Sequence, residues 1–106
     1  MSKTVIEALR RDDALRLLAE HKLELADEFG VTALYLYGSV ARNEAGPESD
    51  VDVLVELDGR PMGLFRFFDL QYRLEAILGT RVDLATPDAL HRRIQTQVMN
   101  EAIRAA

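Results

Sequence analysis

Apolar residues recur along this chain with two different periods, and the switch between them marks out its elements. Alternation runs through Leu34-Tyr35-Leu36-Tyr37 and again from Val51 to Leu57, the period of extended strands. Leu34 and Leu36 share one face of the first strand, with Tyr35 and Tyr37 on the other. Val51, Val53, Val55 and Leu57 share one face of the second. A third alternating run, 80–85, turns Val82 and Leu84 inward and Asp83 to the opposite face.

Helical spacing governs the rest. Thr4 caps a short helix over 5–10, and Asp12 caps a longer one over 13–29 that ends at Gly30. Its apolar stripe is Ala14, Leu15, Leu18, Leu25, Ala26 and Phe29, while Arg16, Glu20, Glu24, Asp27 and Glu28 form the wet side. Asp58-Gly59-Arg60-Pro61 is a turn, followed by a helix over 62–78 that closes at Gly79. This helix carries two apolar stripes, one of Phe65, Phe68, Tyr72 and Ala76 and one of Phe67, Leu70, Leu74, Ile77 and Leu78. One packs on the sheet, and the other meets either another helix of this chain or a partner. Thr86 as N-cap and Pro87 at the first helical position open the last helix, with Leu90, Ile94, Val98 and Ala102 as its buried row. Strands and helices in this order predict an α/β (α+β) class, a small mixed sheet backed by helices, and one domain over 1–106.

Composition narrows the chemistry. A net charge of −5 argues against a nucleic-acid backbone as the main partner, so any bound nucleotide has to be accommodated locally. The absence of cysteine excludes disulfides and zinc–thiolate sites. No apolar run approaches membrane-spanning length and residues 1–30 lack a signal-peptide core, so the expected compartment is the cytoplasm. His21 and His91 have no second histidine at ligand spacing and read as surface residues.

The chemistry concentrates between Leu34 and Leu57. Asp50 and Asp52 point to the same face of their strand, about 7 Å apart along it. Carboxylates that close repel each other unless a cation intervenes, and Mg²⁺ is suited to the role, held by one or two carboxylates with water and phosphates completing its shell. Gly38-Ser39, a turn into a short helix, lets backbone approach an anion closely. Neither feature is specific alone. Together with the lone strand aspartate Asp83, they place an anion cradle, two metal ligands and a third carboxylate on neighbouring strands.

At Tyr37-Gly38-Ser39-Val40-Ala41-Arg42, Ser49-Asp50-Val51-Asp52, Gly63-Leu64-Phe65 and the stretch from Arg81 to Asp88, the chain resembles the polymerase-beta-like nucleotidyltransferase superfamily. It is most similar there to the minimal nucleotidyltransferases, the MNT or MntA-type antitoxins paired with HEPN-domain toxins. That resemblance implies a compact fold that transfers AMP from ATP to a hydroxyl, with a tyrosine of the HEPN ribonuclease as acceptor. It also implies that Gly38 and Ser39 hold nucleotide phosphates, that Asp50 and Asp52 bind Mg²⁺, and that Asp83 completes the metal site and accepts the proton of the attacking hydroxyl. Asn43 departs from the glycine common after the arginine, but asparagine tolerates a left-handed backbone. Arg42 is placed either on a phosphate oxygen or in an ion pair with Glu44 or Glu48, and Ser49 either at the nucleotide or as a turn residue. Two other functions fit the same residues: an antitoxin that acts by contact alone, and a transferase of small molecules such as aminoglycosides.

Overall fold

A computed structural model describes residues 9–46, 49–90 and 92–106. The short helix expected over 5–10, Glu48, His91, and the side chains of Arg92, Arg93 and Ile94 lie outside what it describes. In chain order the elements are α1 (Arg11–Glu20), α2 (Lys22–Phe29), β1 (Val31–Tyr37), α3 (Gly38–Ala41), β2 (Val51–Leu57), α4 (Leu64–Leu78), β3 (Val82–Ala85), a 3-10 turn (Pro87–Ala89), α5 (Arg92–Glu101) and β4 (Ile103–Arg104).

The strands form one mixed sheet in the order β3-β2-β1-β4. β1 pairs antiparallel with β2 and with β4, and β2 pairs parallel with β3. The parallel step is made through α4, a connection of the length that parallel neighbours require. An irregularity in the pairing between Val31 and Ala33 shifts the alternation by one residue. Val31 therefore joins Leu34 and Leu36 in the core even though its position number predicts the other face.

One face of the sheet carries the core. Leu34, Leu36, Val51, Val53, Val55, Val82 and Leu84 pack there against Ala14 and Leu18 of α1, Leu25 and Phe29 of α2, and Leu70, Leu74 and Leu78 of α4. The inner stripe of α4 is thus the row of Leu70, Leu74 and Leu78. The outer stripe faces away from the core, with Phe65, Phe68 and Tyr72 exposed. Arg73 of α4 bonds Glu24 and Glu28 of α2 at 2.9 and 2.8 Å, and Arg66 donates to the Glu28 carbonyl. Both guanidinium groups also lie over the Phe29 ring.

Three expectations change. The helix expected over 13–29 is two helices broken at His21, whose N–H reaches the Leu18 carbonyl at 3.2 Å. Leu18 and Leu25 stay in phase across the break because they lie seven residues apart, so hydrophobic periodicity does not register it. The first of these helices begins at Arg11 with Arg10 as N-cap. Asp12 sits inside its first turn beside Asp13, where negative charge suits the exposed N–H groups. The last helix does not start at Pro87. Thr86 makes no side-chain cap, the 3-10 turn ends at Leu90 with φ −78° and ψ 138°, and α5 follows separately. Leu90, Val98 and Ala102 are only partly covered, and after Glu101 the chain becomes the edge strand β4. Gly30 and Gly79 do end α2 and α4, with φ 73° and 74°.

Candidate active site

The second face of the sheet bears the polar row. Pairing sets Tyr37 of β1 opposite Asp52 of β2, and Asp52 opposite Asp83 of β3. These three side chains project from neighbouring strands roughly 4.8 Å apart. Burial and then the charges of Asp83 and Asp50 push Asp52 up from the ordinary 3.8 to about 6, with Arg42 acting the other way. Burial, then Asp52 and Asp83, push the Tyr37 hydroxyl up to about 12. Sequence alternation shows Tyr37 facing away from the core, but not that it neighbours the aspartates. Its parity and its place directly before Gly38 are the available signals.

Gly38 follows at the end of β1 with φ 73°. A Cβ at this position would lie 2.1 Å from Asp52 Oδ2, so glycine is required by both backbone and contact. The short helix α3 is anchored by buried Val40 and Ala41, and its turn is closed by Arg42 N–H to the Gly38 carbonyl at 3.1 Å. Glu44 N–H donates to the Ser39 carbonyl at 2.8 Å, and the Ser39 residue itself is half-buried beside Gly38. Asn43 adopts φ 60°, a left-handed conformation that asparagine tolerates, and its Oδ1 accepts from the Arg11 N–H at 3.3 Å.

Asp50 precedes β2 and is exposed. Its Oδ1 is 3.1 Å from Arg81 Nε, at the start of β3. Arg42 pairs with Glu44 at 3.0 Å and with Glu101 of α5 at 3.1 Å. Ser49 uses its hydroxyl within the loop, accepting from the Gly46 N–H at 3.1 Å, and its own N–H donates to the Gly46 carbonyl. The structure therefore brings Asp52, Asp83, Tyr37 and Gly38 together, keeps Asp50 beside them on Arg81, and engages Arg42 with Glu44 and Glu101 and Ser49 with Gly46. Among the described residues no three acidic or histidine side chains converge on one point. An open groove of about 660 Å³ lies at the other end of β2 among Thr32, Glu56, Arg60, Phe67 and Pro87. The aspartates instead lie on the face of the sheet away from the core, near the start of β2.

Carboxylate oxygens and no softer donor suit a hard divalent cation, and a cation beside Asp52 would offset the burial and neighbouring charges that raise it. In a chelator, burial and those charges make stability depend on pH. The folded-state value of Asp52 lies above the unfolded one, so folding favours its protonated form, and stability from this group falls as pH rises from about 4 through about 6. At pH 8, Asp52→Asn in EDTA is expected to be more stable than wild type by about 1 kcal/mol, discounted for solvent screening of a half-exposed group. At pH 4 or below the difference should vanish. Thermal melts of both proteins at the two pH values check this.

Comparison with known proteins agrees with the geometry. Residues 18–105 match the family described as nucleotidyltransferase domain. The chain belongs to that family. It is 41% identical over 87 residues to the protein adenylyltransferase MntA of Thermococcus cleftensis, covering 82% of this chain and 87% of that one. A solved structure described as a minimal nucleotidyltransferase superposes with a TM-score of 0.71 at 38% identity, over 89% of this chain and 94% of the other. The fold is shared with the MNT antitoxin complexed with a tri-AMPylated HEPN toxin of Shewanella oneidensis, at TM-score 0.61 and 18% identity, over 87% and 71% of the two chains. This nucleotidyltransferase is thus an MntA-type enzyme on the polymerase-beta-like fold expected from its motifs. No helix among its described residues is long and apolar enough to cross a membrane.

Proposed function

We propose that this nucleotidyltransferase transfers AMP from ATP to a tyrosine hydroxyl of a HEPN-type toxin and so acts as its antitoxin in the cytoplasm. The observation that carries the reading is the cross-strand row Tyr37–Asp52–Asp83 lying against the Gly38 turn. Asp50, Asp52 and Asp83 would hold Mg²⁺, which supplies neutralisation of charge on the transferring phosphoryl group. The protein's own work is positioning. Gly38, whose missing Cβ leaves room for the Asp52 carboxylate, and Ser39 set a turn of backbone beside the acidic row, where it would hold the nucleotide phosphates. Asp83, exposed on β3, accepts the proton of the attacking hydroxyl. The acceptor oxygen bonds to the α-phosphorus, the bond to the bridging oxygen breaks, and pyrophosphate leaves. An acidic row on the sheet face away from the core helices suits an acceptor that arrives on another protein. The Shewanella complex supports this choice of partner, since its toxin carries AMP.

The test is incubation of the purified enzyme with ATP labelled at the α-phosphate, Mg²⁺ and the HEPN-type toxin encoded beside it. Label is expected on a toxin tyrosine, and a Tyr→Phe toxin should stay unlabelled. If the triple variant Asp50, Asp52, Asp83→Asn protects cells as well as wild type at equal expression, contact rather than transfer silences the toxin.

A further inference from the structure

The outer stripe of α4 takes no part in the core or in the acidic site. Leu64, Phe65, Phe68 and Tyr72 are 66, 84, 41 and 63% exposed, and Ala76 continues the row as an exposed small residue. This row holds no charged residue. The basic residues on its flank are engaged within the chain, Arg73 with Glu24 and Glu28 and Arg66 with the Glu28 carbonyl. At about 200 Å² for a full side chain the row exposes roughly 500 Å² of apolar surface. Isolated apolar residues need no explanation, but a contiguous patch of this size on one helix does.

We propose that this stripe is a two-fold contact between two copies of this chain. Two observations select a copy over the modified acceptor as occupant. First, α4 packs on the core face of the sheet, whereas Asp52 and Asp83 project from the opposite face. A molecule seated on the outer side of α4 has the helix layer and the sheet between it and the aspartates of the same chain. Second, the stripe is complementary to itself. An antiparallel copy turned about an axis near Leu70 sets Phe65 against Ala76 of the second copy and Phe68 against Tyr72, so large meets small and ring meets ring. Two such stripes bury about 1,000 Å² before any polar rim is counted, close to the roughly 1,200 Å² at which specific interfaces begin. Both acidic faces remain open in the resulting dimer. Each chain carries −5, so the copies repel each other and salt should strengthen the contact. A contact driven by opposite charge would weaken instead.

Sedimentation of the full chain across the micromolar range tests the proposal independently of transfer activity. Wild type is expected to form a concentration-dependent dimer that tightens with salt. Phe65→Ser/Tyr72→Ser, at exposed positions, is expected to keep the circular dichroism and melting temperature of wild type while its dimer dissociation constant rises about tenfold or more. Register is read separately by Phe65→Cys/Ala76→Cys, because the chain has no cysteine of its own. Within one helix these positions are about 16 Å apart, too far for a disulfide. A covalent dimer under oxidising conditions therefore supports the antiparallel contact. The proposal is overturned if wild type stays monomeric throughout the range, if the serine variant dimerises equally well, or if no crosslink forms. Loss of toxin binding in the serine variant, with a monomeric wild type, would overturn it in favour of the toxin as occupant.

Discussion

Asp52→Asn is expected to abolish AMP transfer, by about 10³-fold or more in kcat, while leaving the fold intact. The residue stands at the centre of the row, between Tyr37 and Asp83, and is the carboxylate on which the charge of its neighbours converges. Asparagine is isosteric and keeps an acceptor oxygen, but it removes the negative charge that holds a divalent cation. Two measurements separate loss of chemistry from loss of structure. In EDTA the variant should melt no lower than wild type. With Mg²⁺ added, wild type should gain thermal stability and the variant should gain much less, because ligand binding stabilises only a site that can bind. A variant that transfers AMP at the wild-type rate would remove Asp52 from the chemistry.

Gly38→Ala should have the second-largest effect. An added Cβ would lie 2.1 Å from Asp52 Oδ2, so the carboxylate has to turn aside, and φ is 73°. The conformational part costs about 1 kcal/mol, and displacement of a positioned group by an ångström costs about 10²-fold in rate. Gly79 supplies the control. It has φ 74°, and a methyl group added there would meet nothing within 4 Å. It closes α4, and the added methyl would touch no group of the row. Gly79→Ala should therefore lose a similar amount of stability and retain transfer. Melting curves and initial rates on the two variants distinguish contact from conformation. Equal activity in both would mean that Asp52 has room to move without consequence.

Much of this was legible in the chain because it depends on local spacing. The alternation from Val51 to Leu57 put Asp52 on the face away from the core, and the same parity did so for Asp83 and Tyr37. The glycine stops at Gly30 and Gly79 were readable for the same reason, whereas the left-handed Asn43 was suggested only by the family resemblance. The second stripe of α4 was visible as a surplus of apolar positions, but its exposure was not. What escaped were features with no periodic signature: the break at His21, the interruption at Leu90, and the two-residue strand β4.

Residue order by itself determined which side chains share a face, where helices stop, and that Asp52 and Asp83 lie on strands. These follow from backbone geometry within a few residues. Only the tertiary structure decided that Asp52 stands opposite Asp83 on one side and Tyr37 on the other, that Asp50 rests on Arg81, and that Arg42 reaches Glu101. Those pairings join segments up to 59 residues apart. They are set by strand register and helix packing across the whole sheet, which no short window of sequence contains.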